Sequence, residues 1–358
     1  MPPSTPIRLL VVDDSAYNRR NIVDVFQRVP EVEVVGKAGD GEEALKLAFT
    51  LRPDVITLDL EMPRMDGFTF LRILMVKQPT PVIVVSSYAQ RENVFKALEL
   101  GALDFVPKPD RVGPDATETL EQIVQKVLLV RSLRPSFVPS VVSRRQGSDA
   151  SVPEGKLAGI GSIGSIAVYK PPKQLVVIAS STGGPGALLQ LFARIPRTTS
   201  AAFLVAQHMP DKFTRTFAER LDKRGPVRTV EASDADLVRP QTGFVCPGRK
   251  CMELVVGPEL RLRIGPPLPN DRYVPCADRL FLSAAQIAPK VIAVILTGMG
   301  DDGVAGARAI RDAGGVVIAE SQETAVVYGM PAAAVRAGIV SKVLPLPAIG
   351  DFLAQLPP

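Results

Sequence analysis

Short apolar runs separated by segments of helix-like spacing recur along the whole chain. In its first third they fall at residues 7–12, 32–37, 55–58, 82–85 and 105–106. Strand-like runs alternating with helix-like stretches predict a parallel sheet covered by helices on both faces. Farther on, runs at 175–179, 203–206, 291–296 and 316–319 are apolar throughout and rich in β-branched residues, the pattern of strands buried on both faces. They predict a second α/β sheet. Between the two sets, residues 134–172 are crowded with Pro, Ser, Gly and Arg and show neither period, which predicts a linker. The chain therefore divides into a first domain at 1–130, a flexible linker at 131–172 and a second domain at 173–358. A length of 358 residues suits two domains and a connection.

Composition narrows the function classes. With 46% hydrophobic and 22% charged residues this is an ordinary globular chain. No apolar run reaches the roughly 18 residues of a membrane span, and the first residues lack a signal-peptide plan, so a cytoplasmic protein without membrane insertion is expected. The net charge of +5 is not gathered into Lys/Arg runs or interleaved with aromatics, and nothing after residue 172 reads as a helix-turn-helix. Nucleic acid is not an expected partner. Cys246, Cys251 and Cys276 are odd in number and lack CxxC spacing, which predicts reduced, structural thiols. A single histidine means that any imidazole base must be His208.

Polar residues stand where the first-domain strands end, the place where open α/β sheets bind ligands. Asp13 and Asp14 follow the first run, Asp59 the third, Ser86 the fourth and Lys108 the fifth. Carboxylates converging on one edge repel each other unless a cation sits among them, and an all-oxygen set suits Mg²⁺. Asp59 would then be a phosphoryl acceptor, its added charge held by the metal, the Lys108 ammonium and the Ser86 hydroxyl. A lone Asp pair after a strand is often a helix cap, but five such placements at successive strand ends argue for a site.

The segments LLVVDDSAYNRR, ITLDLEMPRMDGFTFL, VIVVSSYAQREN and ALELGALDFVPKP resemble the response-regulator receiver domain over about 120 residues. The resemblance implies a flavodoxin-like fold with a five-stranded parallel sheet. It also implies Mg²⁺ at Asp13, Asp14, Asp59 and the backbone carbonyl of Glu61, phosphorylation of Asp59 by a histidine kinase, and switching through Ser86 and Lys108. Phe105 fills the place of the family's aromatic residue before that lysine.

In the second domain, the first apolar run leads into Ser180-Ser181-Thr182-Gly183-Gly184-Pro185-Gly186 and a helix-like stretch. A serine at such a turn is exposed, and N–H groups at the helix start can bind an oxyanion. Ser181 is the better nucleophile, being nearer the glycines. The loop also looks like a phosphate cradle but lacks the P-loop lysine and the dinucleotide spacing. His208 stands two residues beyond the next apolar run, and the pair Asp301 and Asp302 follows another within VILTGMGDDGVAG. Ser181, His208 and one of these aspartates fit the logic of a Ser-His-Asp triad, although the G-x-S-x-G elbow is absent.

STGG from Ser181, QHMP from Gln207, LTGMGDDG from Leu296 and VYGMP from Val327 resemble the chemotaxis protein-glutamate methylesterase (CheB) family. The resemblance covers nearly all of residues 173–343, and the receiver-linker-esterase order belongs to the same family. It implies a doubly wound α/β methylesterase domain with a mostly parallel sheet. Its catalytic residues would be Ser181, His208 and Asp302, with Thr182 and the backbone around Met299 lining the site and no cofactor for the esterase reaction. The implied substrates are glutamate γ-methyl esters on methyl-accepting chemotaxis receptors, with deamidation of receptor glutamines as a second activity and sensory adaptation as the outcome. A receiver packed over the cleft would block the substrate until Asp59 is phosphorylated, and the expected state is a monomer. The family often carries Arg-Pro-Ser where this chain has Val274-Pro275-Cys276, which removes any contact made by that arginine and leaves the triad intact. The competing expectation is a receiver-controlled scaffold, or a signalling protein of a non-flagellar chemosensory pathway.

Overall fold

The computed structural model describes residues 5–87, 91–108, 114–133 and 169–357. Most of the expected linker therefore lies outside the described residues. The first five strands, β1 (Ile7–Val12), β2 (Val32–Ala38), β3 (Val55–Leu58), β4 (Val82–Ser86) and β5 (Asp104–Pro107), form one sheet in the order β2-β1-β3-β4-β5. Every pairing is parallel. The intervening helices are α1 (Ala16–Phe26), α2 (Gly41–Leu51), α3 (Gly67–Lys77), α4 (Arg91–Glu99) and α5 (Pro114–Leu128). Their starts are written in the sequence. Ser15, Asp40 and Asp66 accept backbone N–H bonds from the first turns of α1, α2 and α3, satisfying donors that a helix leaves unpaired. The order reverses at β1 and β3, which opens a crevice at their carboxyl ends.

The second sheet has seven strands in the order β14-β13-β12-β6-β7-β9-β8, again all parallel. They are β6 (Leu175–Ser180), β7 (Ala202–Gln207), β8 (Arg228–Glu231), β9 (Thr242–Val245), β12 (Val291–Ile295), β13 (Val316–Glu320) and β14 (Lys342–Leu344). Strands β6, β7 and β12 are buried at every position, as their apolar sequences require. Helices α6 (Gly184–Phe192), α7 (Asp211–Arg224), α8 (Ala277–Ala284), α9 (Val304–Asp312), α10 (Met330–Arg336) and α11 (Leu346–Ala354) flank the sheet. Chain order turns back at β6, whose neighbours are β7 and β12, so the second crevice opens there.

The apolar runs did not predict β8, β9 or β14, nor the antiparallel hairpin β10 (Cys251–Val255) with β11 (Arg261–Gly265). These strands are short, and β8 and β14 carry exposed polar residues. The predicted strands are present, in parallel sheets; the added strands extend the second sheet and make the hairpin that returns the chain toward the crevice.

The two domains share one continuous apolar core through an aromatic contact. Phe95 of α4 stacks on Phe217 of α7, with centroids 5.5 Å apart, and Phe105 of β5 lies 4.6 Å from Phe213 of α7. At its rim Glu99 takes ion pairs from Arg220 at 3.2 Å and Arg224 at 2.9 Å, and Arg220 also donates to the Glu92 carbonyl.

Candidate functional site

In the first crevice one oxygen each of Asp13, Asp14 and Asp59 lie within 4.8 Å of one another. Lys108 Nζ stands 2.6 Å from Asp59 and 3.1 Å from Asp13. Asp59 is almost fully buried, and burial lifts its carboxyl to about 6 even though the Lys108 ammonium pulls the other way. Burial lowers Lys108, but the hydrogen bond and charge of Asp59, joined by Asp13, outweigh it and hold the ammonium above its ordinary range. Ser86 is fully buried at the end of β4, and its carbonyl accepts the N–H of Lys108. The Glu61 N–H donates to Asp59 at 3.4 Å, so the Glu61 backbone borders the acidic pocket while its side chain is exposed. Asp13 Oδ2 is buried and faces the Lys108 ammonium. Three converging carboxylates faced by a single ammonium leave excess negative charge in an all-oxygen pocket and fit a hard divalent cation such as Mg²⁺.

The second crevice gathers residues from three strand ends. Ser181 follows β6, His208 follows β7 and Asp302 sits in the turn after β12. His208 Nε2 lies 2.7 Å from Asp302 Oδ2. A carboxylate only accepts, so Nε2 carries the proton and Nδ1 is left as the basic nitrogen. Asp302 is 1% exposed. Its oxygens also accept the N–H groups of Ala277 at 2.8 Å and Asp278 at 3.0 Å, the first residues of α8, and a buried carboxylate at a helix N-terminus is well compensated. The neighbouring Asp301 is exposed and bonds to Tyr273 and Arg272 instead. Geometry thus separates two aspartates that spacing alone leaves open.

The paired serines separate in the same way. Ser180 is fully buried and its hydroxyl donates to Gln207 at 2.6 Å, whereas Ser181 lines an open cavity of about 560 Å³ together with Thr182, His208 and Met299. Gln207 ties the two strand ends together, donating to the carbonyls of Ser181 and His208. Gly298 approaches the turn so closely that a Cβ there would lie 2.7 Å from Ser181 Cβ, which brings the backbone leading into Met299 against Ser181. Gln207, Thr297 and Tyr273 carry no role in the sequence reading. Gln207 lies beside the histidine in a quoted motif, but no sequence signal marks Tyr273, which arrives on the return from the hairpin.

The other wall of this cavity comes from the first domain, with Asp104, Phe105, Pro107 and Lys126 among the lining residues. Cys276, expected to alter only a substrate contact, has its thiol 3.9 Å from Asp302 Oδ1, and burial pushes that thiol up to about 12. All three cysteines are buried and free of disulfides.

Comparison with known proteins matches residues 9–115 to the response regulator receiver domain and residues 176–353 to CheB methylesterase. The protein-glutamate methylesterase/protein-glutamine glutaminase 1 of Myxococcus xanthus is 46% identical over 98% of this chain and 97% of its own length. The corresponding protein 3 of Geobacter sulfurreducens is also 46% identical, over 98% of this chain and 97% of its own. Among solved structures, the Thermotoga maritima CheB methylesterase catalytic domain superposes with a TM-score of 0.50 at 38% identity, covering 51% of this chain and 98% of that one. No helix among the described residues is long and apolar enough to cross a membrane. A receiver-type sheet, an esterase-type crevice and full-length similarity agree, and the chain belongs to the CheB methylesterase family.

Proposed function

We propose that this protein is a phosphorylation-controlled hydrolase of glutamate γ-methyl esters on methyl-accepting chemotaxis receptors, releasing methanol and resetting receptor sensitivity. The observation that carries the reading is the 2.7 Å bond between His208 and the buried Asp302, with Ser181 on the wall of the same cavity. Ser181 Oγ attacks the ester carbon as His208 Nδ1 takes its proton, and Asp302 stabilises the imidazolium. N–H groups at the start of α6 and around Met299 receive the oxyanion, with Thr182 beside them. His208 returns the proton to methanol as it leaves, and a water activated by the same imidazole then frees the glutamate. A glutamine side chain follows the same course with ammonia leaving, so deamidation is proposed as the second activity.

Control is proposed to lie in the shared cavity wall. The phosphoryl group of Asp59, received from a histidine kinase, would be held by Lys108 and Ser86, and the strand β5 that carries Phe105 ends one residue before Lys108. Asp13, Asp14, Asp59 and the Glu61 carbonyl would hold Mg²⁺, which supplies positive charge against the phosphoryl oxygens when bound. Ordering of Lys108 and Ser86 around that group would disturb the Phe105–Phe213 contact and open the cavity to a receptor helix.

The test is methanol release from methylated chemoreceptor membranes, with and without a small-molecule phosphodonor and Mg²⁺, for the parent, Ser181→Ala and Asp59→Ala. Release that needs Ser181, and that rises with phosphodonor only when Asp59 is present, is the expected result. Release unchanged in Ser181→Ala overturns the triad; demonstrable phosphorylation without release favours the scaffold reading.

A further inference from the structure

The loop returning from the hairpin lays Tyr273 against the candidate base. The rings of Tyr273 and His208 are parallel within 6°, with centroids 5.3 Å apart. Tyr273 does not stand alone: its hydroxyl donates to Asp301 Oδ1 at 3.0 Å, and Arg272 lies over its ring while pairing with Asp301. Gly300 holds a left-handed φ of +93°, and any side chain there would strike the Tyr273 hydroxyl. The chain thus makes room for the ring at a position where a side chain would exclude it.

From this geometry we infer that Tyr273 is a positioning residue that fixes the plane of the His208 imidazole, resting on the reading of His208 as the base. The bond from Nε2 to Asp302 restrains one ring atom and leaves the ring free to pivot about it. A second ring stacked on one face removes that pivot and keeps Nδ1 aimed at the proton it must accept. Displacements of about 1 Å between reacting groups cost on the order of a hundredfold in rate, so even a partial release of the pivot is measurable. The anchoring through Asp301 gives the exposed member of the aspartate pair a part in the same device.

The test compares the full chain with Tyr273→Ala, Tyr273→Leu and Tyr273→Phe, in methanol release from methylated chemoreceptor membranes with phosphodonor and Mg²⁺. Removal of the ring in the Ala and Leu variants is expected to lower kcat at least about fivefold with KM unchanged, while Phe, which keeps the ring, restores most of the loss. Leu preserves apolar bulk, so a defect shared by both variants is not a matter of folding alone, and thermal unfolding of each checks this. A loss below about fivefold, a rise in KM with kcat unchanged, or a Phe variant as impaired as Ala overturns the inference. Ser181→Ala, run alongside, separates the two readings: if it is inactive while Tyr273→Ala turns over like the parent, only the positioning role falls; if it remains active, the triad falls first.

Discussion

At the residue scale, burial sets the chemistry of the two acidic groups on which the proposal turns. Asp302 is enclosed, and its oxygens accept two backbone N–H groups and the imidazole N–H. Asp302→Asn would keep the shape and spoil the tautomer, leaving one α8 N–H without its acceptor, and kcat is expected to fall about 10³- to 10⁴-fold in the methanol assay. Asp59 is enclosed with less compensation. Its carboxyl, raised from 3.8 to about 6, binds protons more tightly in the folded than in the unfolded chain. The stability linked to this group is therefore present in full below about 3.8 and lost as pH rises through about 6. Without divalent cation, Asp59→Asn should be more stable than the parent at pH 7 by on the order of 2–3 kcal/mol, with the gap closing near pH 4. Urea denaturation at the two pH values measures it, and equal stability at pH 7 would contradict the cost assigned to the buried charge.

At the element scale, the crevice is held by the ends of strands, and Thr297 is their joint. Its N–H donates to the buried Glu320 of β13, its carbonyl accepts the Ser181 N–H, and its hydroxyl links the Thr182 carbonyl to the Val327 N–H, each oxygen contact at 2.9 Å. Thr297→Val keeps the volume and strands two buried backbone groups. Each unmet group costs about 1–3 kcal/mol, so a loss of roughly 2–6 kcal/mol is expected, read as a lower denaturation midpoint together with reduced kcat. Sequence reading placed β6, β7 and β12, and with them Ser181 and His208, because strands buried on both faces are spelled in uninterrupted apolar residues. It could not place β8 to β11: β8 and β11 carry exposed positions, and β9 and β10 are runs of four and five residues interrupted by Gly243 and Glu253. Tyr273 was missed for the same reason: its place beside His208 depends on where that irregular excursion returns.

At the scale of the whole molecule, the two domains meet over the cavity, so the proposed control and the proposed catalysis would share a surface. The aromatic contact of Phe95 and Phe105 with Phe213 and Phe217 is the apolar centre, and Arg220 with Arg224 around Glu99 is its charged rim. Half-exposed ion pairs contribute about 0.2–1 kcal/mol, and 1.4 kcal/mol is a factor of ten. Arg220→Ala is therefore expected to raise unstimulated methanol release by about two- to fivefold, leaving the rate with phosphodonor unchanged. A fall in unstimulated release would mean that the rim assists the esterase rather than restraining it.

The amino-acid sequence by itself determined the two parallel sheets, the acidic pocket at the ends of β1 and β3, and the Ser-Gly turn after β6, because apolar periodicity, helix caps and strand-end polar residues are local properties of the chain. The motif resemblance named Asp302, but setting its carboxylate on His208 while Asp301 turns outward, burying Ser180 beside an open Ser181, and bringing Tyr273 against the imidazole were decided by tertiary structure. So was the sharing of one cavity wall between the domains. In each case the deciding quantity is burial or distance between residues far apart in the chain, and neither exists until the β6–β7–β12 edge, the hairpin and the α4–α7 contact are assembled.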